Sequence, residues 1–278
     1  MRLPPVFHGL CDDAAVFPPG LMPLAEAVPA HLRHKASGHA ELIGSFVVAA
    51  PALKDLEPLL PDGERLDLVV TVPAGPEHVT GALAEAAALP NVRLVAIEVA
   101  VPEGMPPAEL FGVLDRMDSD VPVFVEIPRD ERRPGLIAAL PGTPYRAKFR
   151  TGGVKAHLYP DEAELADAIR AVVEAGVPFK ATAGLHHAVR NTDPETGFEQ
   201  HGFLNVLLAT GAALGGASRA DLATVLARRD GPGLAGALAG LDATAVRERF
   251  LSFGTCSITD PLTDLANLGL VAGGGDPA

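Results

Sequence analysis

The stretch YRAKFRTGGVKAHLYPDEAELADAIRAVVEAGVPFKATAG, residues 145–184, decides the fold class. Two short apolar runs that resemble strands, 145–151 and 177–183, stand on either side of a segment with helical periodicity, 160–176. This segment begins with proline and acidic residues and ends at Gly176, and these are common start and stop signals of a helix. The stretch therefore predicts a strand, a helix and a second strand parallel to the first.

The same alternation continues on both sides of this unit. Further strands are predicted at residues 45–50, 66–72, 92–99, 121–127 and 249–257. Strands that recur about every 25 to 30 residues with helices between them are typical of a barrel of eight βα units. We therefore predict an α/β fold, a TIM-like (β/α)8 barrel, irregular or incomplete around the seventh strand. An open doubly wound sheet is the alternative, but the glycine-rich phosphate turn of that fold does not follow the first strand.

The sequence leaves the position of the eighth strand open. This strand lies at residues 204–210, or the N-terminal VFHGLCD, residues 6–12, supplies it, or it is absent. We expect residues 1–278 to form a single barrel domain. Residues 1–40 are predicted to be an N-terminal capping segment, and residues 272–278 a disordered tail.

The bulk composition argues against several classes of protein. The net charge is −13 and there is no basic tract, so a nucleic-acid partner is not expected. No apolar run reaches the roughly 18 to 20 residues that span a bilayer, and the N-terminus does not resemble a signal peptide. The two cysteines form no metal or redox spacing and fit a reducing compartment. We therefore expect a cytoplasmic protein without a membrane partner. The sequence is compatible with a homo-oligomer.

Four consecutive predicted strands carry charge on the face opposite their apolar residues, late in the strand. In a barrel, that face points inward and its polar members gather at the C-terminal mouth, where active sites of this fold lie. The charged residues are Glu98, Glu126, Lys148, Arg150 and Lys180, and Thr182 shares the face of Lys180. They are predicted to converge on one mouth. The alternative is that these charges form ion pairs that only satisfy one another.

Lysine is scarce in this chain, which has 17 arginines and five lysines. An arginine cannot deprotonate to become a nucleophile, whereas a lysine can. Lys148 is expected to lower the pKa of Lys180, because a neighbouring cation disfavours the protonated amine. A neutral amine can form a Schiff base with a carbonyl compound, and Glu98 or Glu126 can then transfer protons. Arg150 and the glycines at 152–153 are candidates for holding an anionic group.

Two segments of the chain resemble the deoxyribose-phosphate aldolases, which are class I aldolases with a TIM-barrel fold. AKFRTGGVKAHLYPDEAELADAIRAVVEAGVPFKATAG, residues 147–184, resembles their central segment, and FGTCS, residues 253–257, resembles their late Gly-Thr-Ser element. The resemblance implies that Lys180 is the Schiff-base lysine and that Gly254 and Thr255 help to bind the substrate. The family's second active-site lysine lies on the next strand. No lysine follows Lys180 here, so Lys148 would take that role from another strand.

Three histidines follow the Lys180 strand in a long polar loop. Neighbouring residues cannot both face one point, so we expect only one of His186 and His187 to face the site and to act in acid–base chemistry. His201 is a candidate for substrate binding. Two histidines and a carboxylate could also bind a metal, although no metal-binding spacing is present. Asp12 and Asp13 are interpreted as part of a capping turn, and either could reach the site if this segment folds over the mouth of the barrel. Cys256 is interpreted as a buried inert thiol, with a place in the lining of the pocket as the alternative.

Together these observations predict a barrel enzyme of the lyase or aldolase type. It would act on a small anionic carbonyl compound through Lys180, without a cofactor. One alternative is a metal-dependent lyase, isomerase or hydrolase that uses Glu98, Glu126 and the loop histidines. The other is a barrel that binds a small anion without catalysis.

Overall fold

Parallel strands close into a barrel in the computed structural model, which describes residues 3–60, 63 and 65–272. Within these residues the barrel has eight strands, in the closed order β1-β2-β3-β4-β5-β6-β7-β10. They are β1 Cys11–Asp13, β2 Ile43–Ala49, β3 Leu66–Val72, β4 Val92–Ala100, β5 Val123–Glu126, β6 Arg146–Arg150, β7 Phe179–Thr182 and β10 Phe250–Thr255. The predicted α/β barrel fold is therefore confirmed. The predicted tail lies outside the described residues from position 273 onward.

Helices follow most strands. The helices are α1 Leu24–Lys35, α2 Val79–Ala88, α3 Pro107–Leu114, α4 Arg133–Ala139, α5 Glu162–Glu174, α6 Phe203–Leu214, α7 Arg219–Ala227, α8 Gly231–Ala237, α9 Ala243–Arg249 and α10 Thr259–Asn267. After β2 the described residues form 3-10 helices, Ala50–Asp55 and Glu57–Leu59. Among the described residues, none of the helices is long and apolar enough to cross a membrane.

The N-terminal segment supplies the strand whose position the sequence left open. β1 pairs in parallel with β10 on one side and with β2 on the other. Residues 204–210, the other candidate, lie within α6. The segment 1–40, which we expected to cap the barrel, thus contributes β1 and α1 to the barrel itself.

The predicted irregularity lies in the connection after β7, while the barrel itself is closed. A long loop leaves β7 and contains a small antiparallel hairpin of β8 (Asn191–Thr192) and β9 (Glu199–Gln200). Four helices, α6 to α9, follow in the described chain before β10 returns to the barrel. The histidines of the sequence analysis belong to this connection.

The unit that predicted the fold shows why its residues fold in this way. The Asp161 side chain accepts a hydrogen bond from the backbone N–H of Glu164, which caps the N-terminus of α5. Leu165, Ile169 and Val172 recur at helical spacing and are buried in the hydrophobic core. Gly176 then ends the helix with a φ of 68°, a conformation that glycine adopts at little cost. This geometry returns the chain to the barrel as β7.

The core has two parts. The larger part lies mainly between the strands and the outer helices, as in other barrels of this kind. The smaller part contains the buried residues Val47, Val69, Ala96 and Phe124, one from each of β2 to β5. The charged side chains lie close to this inner layer, since the Lys180 Nζ is 5.5 Å from the centroid of the Phe124 ring.

Candidate active site

A cavity of about 320 Å³ is lined by residues at the C-terminal ends of the barrel strands and in the loops that follow them. This is the end of the barrel where enzymes of this fold carry their active sites. Five predicted charged residues line it: Glu98, Glu126, Lys148, Arg150 and Lys180. The register of the strands explains the convergence, because Glu126 is level with Lys148 and Lys148 is level with Lys180. Thr182 also lines the cavity, level with Arg150.

Lys180 lies between two buried carboxylates. Its Nζ donates a hydrogen bond of 2.7 Å to Asp12 Oδ2 and lies 2.6 Å from Glu98 Oε1. Its side chain is only 2% exposed, and the ammonium group also lies over the ring of Phe124. A buried charge is costly unless it is paired, and this one is paired on both sides.

The same alternation of charge continues across the barrel. Lys148 Nζ lies 2.7 Å from Glu98 Oε2 and 3.0 Å from Glu126 Oε2. Arg150 Nε donates a hydrogen bond of 3.0 Å to Glu126 Oε1 at the more exposed end. We call the resulting series the charge chain, and its members in order are Asp12, Lys180, Glu98, Lys148, Glu126 and Arg150. It contains three anions and three cations.

Asp12 belongs to the site, although the sequence analysis favoured a capping turn for it. It lies in β1 rather than in a capping turn, and it is buried. Ser252 Oγ donates a hydrogen bond of 2.6 Å to Oδ2, and the backbone N–H of Ser45 donates one of 2.9 Å to Oδ1. Gly44 leaves room for this carboxylate, because a Cβ there would lie 2.3 Å from Oδ1.

A sequence signal for Asp12 was present but weak. Like the predicted site residues, it is a charge that follows a short apolar run, but β1 has only three residues and all three are buried. Alternation along the strand therefore gave no indication of its face. Asp13 has a different partner, since its Oδ2 lies 3.1 Å from Nδ1 of the buried His31 in α1. The interpretation of both aspartates as a turn is corrected.

Both lysines keep their protons in the charge chain. Burial alone lowers the pKa of Lys180, but Asp12 and Glu98 outweigh burial and raise this pKa well above its usual value. Burial also lowers the pKa of Lys148, and Glu126 and Glu98 again reverse the direction to a net increase. The expectation that Lys148 lowers the pKa of Lys180 is therefore wrong. Glu98 lies between the two ammonium groups and pairs with both.

The two glutamates are correspondingly held as anions. Burial raises the pKa of Glu98, but the positive charges of Lys148 and Lys180 outweigh burial and lower this pKa to about 2. Burial also raises the pKa of Glu126, and Lys148 with Arg150 brings it below its usual value. At neutral pH every member of the chain that carries a resolved shift is ionised.

The two glycines that were predicted to hold an anionic group, Gly152 and Gly153, mainly allow close packing. A Cβ on Gly152 would lie 2.7 Å from both Gly184 Cα and the Tyr159 ring, so this glycine allows the ends of β6 and β7 to approach closely. Gly153 does line the cavity, and a Cβ there would lie 2.5 Å from the Leu158 side chain. Of the two predicted anion-binding glycines, Gly153 alone thus lines the site.

Gly254 and Thr255 also differ in their relation to the cavity. Gly254 lines the cavity beside Thr182, whose Oγ1 would lie 3.4 Å from a Cβ at position 254. Thr255 is buried, and its Oγ1 donates a hydrogen bond of 3.0 Å to the carbonyl of Ser257. Thr255 thus contributes to the turn after β10 and is not among the residues that line the cavity, and its role in substrate binding stays a prediction.

One of the two neighbouring histidines faces the cavity, and it is His186. Its Nδ1 lies 3.4 Å from Thr255 Oγ1 and 3.5 Å from Cys256 Sγ. Burial lowers the pKa of His186, so its imidazole is neutral at physiological pH. Cys256 also lines the cavity, and burial raises the pKa of its thiol. The imidazole and the thiol thus share one wall of the site.

The other two histidines are not among the residues that line the cavity, and both have structural partners. His187 Nδ1 lies 3.2 Å from Asp264 Oδ2, and the same carboxylate accepts a hydrogen bond from the backbone N–H of Ala188. His201 is fully buried, and its ring nitrogens contact the carbonyl of Pro160 at 2.8 Å and the guanidinium of Arg190 at 3.2 Å. These two residues hold the loop against α10 and against the chain that precedes α5.

The alternative of a metal centre gains no support from the geometry. Among residues 3–60, 63 and 65–272 no group of three or more histidine, cysteine, aspartate or glutamate side chains is arranged to hold a metal ion. Both oxygens of Glu98 and of Glu126 already contact lysine or arginine nitrogens. The two carboxylates that were predicted as ligands are thus engaged by cations.

Comparison with known proteins adds no family to this description. No protein-family model matches the chain, and no curated protein is significantly similar to it. The resemblance to the deoxyribose-phosphate aldolases therefore stays a prediction, and the closed barrel and its cavity are the basis for the function.

Proposed function

We propose that this protein is a barrel enzyme of the lyase or aldolase type that acts on a small carbonyl compound through an imine on Lys180. One observation carries the proposal. Lys180 is buried and lines the cavity, and its amine lies within 2.7 Å of two carboxylates that can accept and return its proton. A buried lysine at the C-terminal mouth of a barrel, with proton acceptors on both sides, is suited to covalent catalysis.

The first step is a proton transfer, because the resting amine is protonated. Lys180 gives one proton to Asp12 or Glu98, and its free electron pair forms a bond to the carbonyl carbon while the C=O π electrons move to the oxygen. That oxygen takes back the proton held by the carboxylate and a second proton from the nitrogen, and it leaves as water, so that a protonated imine remains. The imine then accepts the electron pair of the bond between the α and β carbons, while the β-hydroxyl gives its proton to the carboxylate and departs as a second carbonyl compound. The carboxylate returns this proton to the α carbon, and water hydrolyses the imine, which releases the product and restores the Lys180 amine.

Other members of the charge chain have supporting roles in this scheme. Lys148 keeps Glu98 ionised and supplies positive charge beside the oxygen that becomes negative. Arg150 has the most exposed charged group of the chain, with a side chain that is 38% exposed, and it would receive a carboxylate of the substrate. His186 is neutral and borders the same cavity, which suits it to proton exchange with the substrate.

Borohydride trapping tests this function. We expect pyruvate or glyceraldehyde, followed by borohydride, to label Lys180 in the wild-type protein, with the adduct located by peptide mass spectrometry. Lys180→Arg keeps the positive charge and should lose the adduct, because arginine does not deprotonate. Lys148→Arg is the matched control and should still label at Lys180. Labelling confined to Lys35, Lys54 and Lys155 would refute the proposal.

A second candidate is a barrel that binds its ligand without catalysis. The complete pairing of the charge chain favours it, because each charged group already has a partner of opposite sign. Under this candidate a carbonyl ligand binds reversibly, borohydride traps nothing at Lys180, and Lys180→Arg binds the ligand as well as the wild-type protein does.

A further inference from the structure

The cavity has two walls of different chemistry. The charged side chains come from β4 to β7, on one side of the barrel. The opposite wall is apolar and is formed by β2, by the end of β3 and by the segment that follows β1. Its apolar members include Phe17, Pro18, Val47, Ala49 and Pro73, and Thr71 at the end of β3 adds one hydroxyl group. A wall of this kind favours a substrate part that carries no hydrogen-bonding groups.

An exposed apolar side chain also lines the cavity on the side of β6. Val154, in the loop after β6, lines the cavity although it is 59% exposed. It is one of three large hydrophobic side chains that are exposed in the described part of the chain, together with Leu21 and Leu214. A hydrophobic ligand that passes Val154 would remove this side chain from water, which is favourable.

The charge of the site limits what else the ligand carries. Among the described residues that form the charge chain, three cations are matched by three anions, so the chain holds no surplus positive charge. A phosphate group brings about two negative charges and three acceptor oxygens. A single carboxylate makes a smaller demand, which the half-exposed guanidinium of Arg150 can meet.

We infer that the substrate is amphipathic: a carbonyl compound with one carboxylate and a branched aliphatic or aromatic substituent, rather than a phosphorylated sugar. Its carbonyl lies at Lys180, its carboxylate at Arg150, and its substituent against the wall of Phe17, Val47 and Ala49. The inference rests on the proposed function, because it places the reacting carbonyl at Lys180.

Equilibrium binding to a series of 2-oxo acids tests the inference. Calorimetry with pyruvate, 2-oxobutanoate, 4-methyl-2-oxopentanoate and phenylpyruvate should show that Kd falls about fourfold for each carbon that becomes buried. Glyceraldehyde 3-phosphate should bind more weakly than 4-methyl-2-oxopentanoate. Equal affinity across the 2-oxo acids, or tightest binding of the phosphorylated compound, would overturn the inference.

A pair of variants tests whether the exposed apolar side chain of Val154 contributes to the effect. Val154→Asp should reduce the preference for 4-methyl-2-oxopentanoate over pyruvate about fourfold, because it places a carboxylate in the path of the substituent. Leu21→Asp is the matched control, since Leu21 is equally exposed but is not part of the cavity wall, and it should leave the preference unchanged. An unchanged preference in Val154→Asp, or an equal loss in both variants, contradicts the inference.

The readouts separate this inference from the proposed function. A preference for larger substituents without a borohydride adduct would refute the imine chemistry and leave the apolar wall as a binding determinant. Adducts at Lys180 with no dependence on the substituent would do the reverse. The failure of the inference can therefore be distinguished from the failure of the proposed function.

Discussion

The charged strand ends and the histidine loop lie next to each other in sequence, but the fold uses them differently. Glu126, Lys148 and Lys180 stand on neighbouring strands, and the register of a closed barrel brings their side chains into one row. His187 and His201 stand in the connection after β7, where each finds a partner outside the cavity. The strand geometry fixes where an inward-facing polar side chain of a barrel lies, whereas a loop side chain can adopt many positions.

The two regions also differ in how their charges are stabilised. Within the charge chain each buried group depends on neighbours from other strands, so the loss of one member leaves an uncompensated charge. In the loop, His187 pairs with Asp264 in a half-exposed setting, and water can replace the lost contact. The predictions below test this difference, from the largest expected effect to the smallest.

Removal of the central anion should have the largest effect. Glu98→Gln leaves Lys148 and Lys180 without their shared carboxylate in a buried site, and we expect a loss of about 3–5 kcal/mol in the free energy of unfolding. Urea denaturation at neutral pH measures it. Glu126→Gln is the matched control and should cost clearly less, because its carboxylate is partly exposed. Equal losses in the two variants would mean that burial does not set the cost.

The acid dependence of stability should separate the two regions by pH. Burial, opposed by the Pro160 carbonyl, holds the folded-state pKa of His201 at about 4, below the ordinary value of 6.5. Since the unfolded chain binds this proton first, the contribution of His201 is present above pH 6.5 and is lost as pH falls toward 4. The folded-state pKa of Glu98 is about 2 against an ordinary 4.5, so its contribution is lost between pH 4.5 and 2. Each shift corresponds to about 3 kcal/mol.

Unfolding curves from pH 8 to pH 2 measure both contributions. His201→Gln should flatten the part between pH 6.5 and 4, and Glu98→Gln the part between pH 4.5 and 2. His187→Gln serves as the control of opposite sign, because the hydrogen bond to Asp264 raises the pKa of His187. Its contribution is present below pH 6.5 and is lost as pH rises through the folded-state pKa. A variant that flattens the other variant's range would contradict the assignment.

The smallest effect should be a difference in pKa between the adjacent imidazoles of His186 and His187. Burial lowers the pKa of His186, whereas the hydrogen bond to Asp264 raises the pKa of His187. Proton NMR titration of the ring signals should therefore find His186 below 6.5 and His187 above it. Asp264→Asn should move the His187 midpoint downward and leave that of His186 almost unchanged. Identical midpoints would show that the two rings do not face different surroundings.

Much of the fold and part of the site could be predicted from the sequence, for a physical reason. Side chains alternate along a strand, so Glu98, Lys148 and Lys180 could be assigned to the inner face from their apolar neighbours alone. The face on which Asp12 lies could not be assigned in this way, because β1 is too short to show alternation. The direction of His187 depends on Asp264, which lies 77 residues further along the chain, and local sequence contains no trace of that contact.

The predicted direction of the Lys180 pKa shift was wrong for a related reason. The sequence places Lys148 on the adjacent strand, and two neighbouring ammonium groups would lower each other's pKa. Glu98 comes from a strand two positions further round the barrel than Lys148, and its two oxygens contact both amines. The sign of the shift was therefore decided by a tertiary contact and not by neighbouring strands.

The hydrogen bonds of Asp12 have a consequence for the order in which the molecule assembles. This carboxylate is fixed by Ser252, 240 residues away, and it holds Lys180, 168 residues away. Contacts of such long sequence separation form late and slowly, since the intervening chain must first be ordered. During synthesis β1 emerges first, and its edge toward β10 waits until almost the entire barrel has been made. Closure of the barrel and completion of the surroundings of Lys180 thus both require β10. A ribosome-bound chain that stops before Phe250 lacks both.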